Sequence, residues 1–141
     1  MTGYLLDNSV IQRIPRHPTV VDAVRDLQGR GGFLCFSDVS RLEAGFSARN
    51  AADHAAILSQ VIGRFVRMPL SDLVGVLAVE LQAALFGAGM GRAVGAVDLL
   101  HAATAIVHRA VVIHYDADFE LIASVDDRLQ QRWIVPPGSV D

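Results

Sequence analysis

Apolar positions in this chain follow two rhythms. Short continuous runs, YLL at 4–6, FLCF at 33–36 and AVVI at 110–113, alternate with longer stretches where apolar residues recur every three or four positions. The short runs predict buried strands, and the longer rhythm predicts amphipathic helices. A short helix is expected after Asp7-Asn8-Ser9, whose side chains suit an N-cap. HPTVVDAVRDLQGRGG reads as a helix closed by Gly29, Gly31 and Gly32. Ser37 opens the helix that carries Glu43, and a further helix is expected through AADHAAILSQVIG. FVRMPL predicts a strand broken by Pro69, and SDLVGVLAVELQAALFGAGMG a long helix ended by glycines. AVDLLHAATAIVHR predicts an apolar helix, DFELIASV a short one, and RWIVPPG a last edge strand stopped by two prolines.

Apolar strands alternating with helices predict an α/β fold: one domain over residues 1–135, with a C-terminal tail at 136–141. Its parallel β-sheet, of about four or five strands, is flanked by helices on both faces. In sheets of this class ligands bind beyond the carboxyl ends of the strands. Asp7 and Asp116 each follow a strand, at that edge. Glu43 and Asp98 lie on helices that begin there.

Each acid also has a local reading. Asp7, Asp116 or Asp118 can cap a helix, and Ser40 with Glu43 has capping-box spacing. Asp98 sits where a helix dipole favours negative charge. Capping alone does not explain why all four are embedded in apolar sequence at one edge of the sheet. Asp98 lies within AVDLLHAA, where an unpaired charge is costly to desolvate, and no Arg adjoins Asp7 or Asp98 in sequence. Clustered carboxylates raise one another's pKa, and a divalent cation relieves the repulsion. Oxygen-only ligands select a hard ion, Mg²⁺ or Mn²⁺, over Zn²⁺.

Composition narrows the partners. The formal net charge is −3, and all twelve basic residues are Arg. Setting the four acids aside leaves +1, so an overall acidic balance does not exclude a phosphate-bearing partner. No apolar run approaches the roughly 20 residues of a membrane span. The lone Cys35 has no intrachain partner and reads as a small core residue, consistent with a reducing, cytoplasmic compartment.

The ordered segments YLLDNSV, LEAGFSAR, VDLLHAATA, HYDADFELIA and WIVPPG resemble the PIN domain, and within it the toxin ribonucleases of the VapC family. The resemblance spans nearly the whole chain. It places Asp7, Glu43, Asp98 and Asp116 on the family's acidic quartet, with Asp7, Asp98 and Asp116 as metal ligands. Ser9 falls on a hydroxyl position that helps hold the site, and Asp118 on a second acid that could be an outer ligand. Asn8 stands where Thr is common, and His114 where the family often has Thr or Ser.

The resemblance implies a metal-dependent endoribonuclease toxin using one or two Mg²⁺ or Mn²⁺ ions and leaving 5′-phosphate and 3′-hydroxyl ends. It further implies an RNA substrate in a tRNA or ribosomal RNA loop, a homodimer, and a cognate VapB-like antitoxin laid across the site. A housekeeping PIN-type nuclease and a catalytically silent binding module are the alternatives. Arg13, Arg41, Arg49 and Arg92 lie near the acidic segments and are candidate RNA-phosphate contacts, each with an equally good role as a solvated surface charge.

The remaining features carry less. His101, one helical turn beyond Asp98, reads as a hydrogen-bonded helix residue rather than a ligand. The other four histidines read as surface or supporting residues. GAGMG lacks the Lys-Ser/Thr of a phosphate loop and reads as a helix terminator. Leu70, Leu73, Val74, Leu77, Leu81, Ala84 and Leu85 trace a helical stripe expected to be mostly core.

Overall fold

The computed structural model describes residues 1–141, the side chains of residues 61 and 62 excepted. Five parallel strands form one sheet in the order β3-β2-β1-β4-β5. They are β1 (Gly3–Leu6), β2 (Phe33–Ser37), β3 (Val66–Met68), β4 (Val111–His114) and β5 (Gln130–Trp133). β1 is central, with Tyr4 opposite Leu34 on one side and Val111 on the other. Both neighbours of β1 therefore end at the same edge, where Asp7, Ser37 and His114 stand.

Strand alternation divides the core into two. Leu5, Cys35 and Val112 face one side, where they pack with Leu81, Leu85, Ala102, Phe119 and Ile122. Tyr4, Leu6, Phe36, Val111 and Ile113 face the other, against Val10, Val20 and Val24. Both faces are covered, which is why the strands read as unbroken apolar runs.

Seven α-helices connect the strands. α1 (Asn8–Ile11) and α2 (Pro18–Gly29) lead from β1 to β2, and α3 (Asp38–Phe46) follows β2 directly. α3 starts at the sequence-expected Ser37, whose side chain accepts from the Ser40 N–H in a capping box. The helix expected through residues 51–63 is α-helical only as α4 (Ala51–Ala56) and continues as a π-helical turn, Ile57–Ile62. Its Ile57 and Leu58 pack against the second core. α5 (Asp72–Gly87) and α6 (Ala96–His108) form a packed pair, and α7 (Asp118–Val125) precedes β5.

On α5 the buried positions are Val74, Leu77, Ala78, Leu81 and Leu85. Leu70 and Leu73, expected in the core, are instead 43% and 66% exposed. Leu70 precedes the helix and so lies outside its 3.6-residue phase, while Leu73, in the first turn, faces away from the sheet. The last strand starts earlier than expected, at Gln130, and Ile134 still donates its N–H to the His114 carbonyl at 2.9 Å. Among the described residues no helix is long and apolar enough to cross a membrane.

The segment after Val135 folds back onto the domain. The Tyr115 hydroxyl accepts the Gly138 and Val140 N–H groups at 2.8 and 3.2 Å and donates to the Val140 carbonyl at 2.8 Å.

Candidate metal centre

Each acid is delivered by a different element for a local reason. Asp7 follows β1 and caps α1, its Oδ2 accepting the Ser9 N–H at 3.0 Å. The Asp7 N–H is held by the Ile113 carbonyl of β4 at 2.9 Å, so the residue is tied to both central strands. Asp7 is 4% exposed. Glu43 lies on α3, between the exposed Leu42 and the buried Ala44, with a half-buried side chain. Asp98 stands in the first turn of α6, which has no side-chain cap. Asp116 and Asp118 bracket the start of α7, and Asp116 Oδ1 accepts the Asp118 N–H at 2.9 Å.

The fold brings one carboxylate oxygen each from Asp98, Asp116 and Asp118 within 4.8 Å of one another. Asp118, expected as an outer ligand, thus belongs to the tightest trio, while Asp7 and Glu43 flank it. Two ionised carboxylates at that spacing repel by roughly 3 kcal/mol at an effective dielectric near 20. A helix N-terminus returns only about 0.3–1 kcal/mol to each. Capping therefore does not offset the repulsion, and a proton or a cation must.

The protonation equilibria show the same strain. Burial, then the charges of Asp7, Asp116, Asp118 and Glu43, push Asp98 up to about 7. Glu43 is raised by burial and by Asp7 and Asp116, and Asp118 by burial and by Asp116. Glu43 Oε1 is buried without a hydrogen-bond partner. Among the described residues no Arg is paired with any of the five acids. A half-buried set of carboxylate oxygens with no Arg beside it has the donor chemistry of a site for a hard divalent cation.

Two histidines support the site. His101 is fully buried, with Nδ1 2.9 Å from the Ser37 Oγ and Nε2 3.9 Å from Asp7 Oδ1. This is the hydrogen-bonded helix histidine expected from sequence, and burial lowers its pKa, keeping it neutral. His114, read from sequence as a surface or supporting residue, is fully buried between the rings of Phe119 and Trp133. It ends β4, where the sheet interior rather than solvent receives alternate side chains. Ser9 does double duty, since its Oγ also accepts the Tyr115 N–H at 2.9 Å.

The four candidate RNA contacts divide. Arg13 donates to the Ser9 and Asp141 carbonyls at 2.7 and 2.8 Å and lies over the Tyr115 ring. Arg49 pairs with Asp53 at 3.3 Å. Arg41, on α3 near the Phe36 ring, and Arg92, ahead of α6, are exposed. Sequence reading gave no role to Gln131 or to the Ser37–His101 contact. Both depend on pairing between distant elements, and neither leaves a local signal.

A family model for the PIN domain matches residues 4–125. The chain is 38% identical over 146 residues to Ribonuclease VapC51 of Mycobacterium tuberculosis, covering 98% of this chain and 97% of that protein. It is also 38% identical over 138 residues to Ribonuclease VapC21 of the same organism, covering 98% of each. Among solved structures, VapBC2 from Rickettsia felis, bound to a DNA fragment from its promoter, superposes with a TM-score of 0.78 at 15% identity. That match covers 94% of this chain and 98% of the other. VapBC-1 from nontypeable Haemophilus influenzae gives 0.76 at 20% identity over the same shares. With the fold, the acidic edge and full-length relatives in agreement, this chain belongs to the PIN-domain family and, within it, to VapC.

Proposed function

We propose that this protein is a Mg²⁺- or Mn²⁺-dependent endoribonuclease and the toxin of a toxin–antitoxin pair. The observation that carries the reading is the convergence of five acids, none paired with Arg, at the carboxyl edge of the sheet. Full-length relatives named as VapC ribonucleases support it.

Asp98, Asp116 and Asp118 would hold the cation through their facing oxygens, with Asp7 as a further ligand. When bound, the ion neutralises the cluster, polarises a phosphate and lowers the pKa of water. Glu43, whose Oε1 is buried without a partner, would accept a proton from the attacking water. The Ser9 N–H and the Ile113 carbonyl hold Asp7 in place, and Arg41 and Arg92 are free to meet RNA phosphates. The convergence of every acid favours an active enzyme over a silent binding module.

Exposed apolar side chains mark room for protein partners. Leu42 and Phe46 on α3 are 75% and 92% exposed, beside a groove of about 760 Å³ that also includes Leu58, Arg41 and Arg67. This groove suits an antitoxin segment. Leu73, Val76 and Val79 on α5, 66%, 59% and 65% exposed, suit a second copy of the chain.

The test is RNA cleavage by purified protein with Mg²⁺ or Mn²⁺, with and without EDTA, alongside Asp98→Asn. Cleavage should require the ion and disappear in the variant, and expression should arrest growth unless the neighbouring gene product is present. Undiminished cleavage in EDTA would remove the metal-centre reading. Sequencing of new 5′ ends in expressing cells would identify the RNA.

A further inference from the structure

Asp116 stands on a polar chain that begins on a different strand. Its N–H donates to His114 Nδ1 at 3.1 Å, and His114 Nε2 lies 2.6 Å from Gln131 Oε1 on β5. A nitrogen that accepts an amide N–H cannot itself carry a proton, so the proton of the neutral ring sits on Nε2. That proton is donated to Gln131 Oε1. The ring cannot pivot away: it is fully buried, with the Phe119 and Trp133 rings 5.1 and 5.0 Å from its centroid.

The consequence reaches the carboxylate. With its backbone N–H fixed by His114 and its Oδ1 occupied by the Asp118 N–H, Asp116 has only Oδ2 free of hydrogen bonds in this network. We infer that the His114–Gln131 pair is a positioning device for Asp116, setting the ring tautomer so that one oxygen of that carboxylate is presented to a divalent cation. The inference rests on the metal-centre reading above and assigns roles to two residues outside the acidic set. Partners of this kind, one step removed from a ligand, commonly change metal affinity by about 10–100-fold when removed.

Mn²⁺ titration by calorimetry on the full-length protein tests it, with three variants of graded chemistry. His114→Leu removes the acceptor and should weaken Mn²⁺ binding by about tenfold or more. His114→Asn places an oxygen near the former Nδ1, so it should restore most of the affinity despite losing the Gln131 contact. Gln131→Leu frees the ring to place its proton on Nδ1, facing the Asp116 N–H, and should weaken binding by less than His114→Leu. The wild-type protein supplies a readout independent of variant folding. Long-range ¹H–¹⁵N NMR should show the His114 proton on Nε2.

Wild-type affinity in His114→Leu, or a ring proton found on Nδ1, would overturn the positioning role while leaving the metal centre intact. A wild-type protein that binds no Mn²⁺ would remove the metal-centre reading itself, and the positioning role with it.

Discussion

Acids on the rim of this molecule and acids in its cleft are the same residue types in opposite electrostatic states. Asp38 is gripped at both oxygens by Arg67 at 2.8 and 2.7 Å, and Asp126 likewise by Arg128 at 3.0 and 2.7 Å. Hydrogen bonds from those guanidinium groups hold both carboxyls below the usual range, and the Arg49 backbone N–H, helped by its guanidinium, lowers Asp53. In the cleft Glu43, Asp98 and Asp118 face other acids across apolar walls, and all three are raised. Every acid near an Arg fork is satisfied within the chain. The cleft acids are not, and that deficit is what a divalent cation would fill. A site of this kind is recognisable by the counter-charge it lacks.

The sharpest way to break the comparison is to neutralise one acid in each region. Asp98→Asn should reduce RNA cleavage by at least about a hundredfold, the scale of losing a preorganised electrostatic contact. In the metal-free protein at neutral pH it should raise the melting temperature, because a repelled charge is gone. A cleft variant less stable than wild type under those conditions would count against the electrostatic account. Asp38→Ala should leave cleavage unchanged and cost about 0.2–1 kcal/mol of stability, the range for a partly exposed ion pair.

A pH series sharpens the same contrast. Asp98 titrates at about 7 in the folded chain, above the roughly 3.9 of an unfolded Asp. The folded state therefore holds the proton more tightly, and its contribution to stability is complete below about pH 4 and lost as pH rises through about 7. Metal-free melting temperature should fall across that window, and the stabilisation by Mg²⁺ or Mn²⁺ should grow across it as the competing proton leaves. Asp98→Asn should flatten both trends. An effect as small as that of Asp38→Ala belongs to Arg13→Gln. Arg13 braces Ser9 and the terminal segment, so about 1 kcal/mol or less of stability should be lost, read as a small shift in melting.

The sheet was legible because its strands are buried on both faces and leave unbroken apolar runs. The helices were legible because apolar spacing and caps such as Ser37 act within a few residues. Boundaries drifted where the phase changed locally: at the π-helical turn after Ala56, at Leu70 ahead of α5, and at Gln130, whose pairing with β4 has no apolar signature. The acidic quartet could be picked out because each member sits in an apolar setting that makes an isolated charge costly.

Sequence alone therefore determined the class of fold and singled out the acids as candidates for one site, since burial pattern and residue type are properties of short-range order. Only tertiary structure decided that Asp118 joins Asp98 and Asp116 in the tight trio, that Arg13 braces the chain's own terminal segment, and that Gln131 reaches His114 from another strand. Those relations are distances between segments far apart in the chain. Local propensity carries no information about them until the sheet has brought its strand ends together.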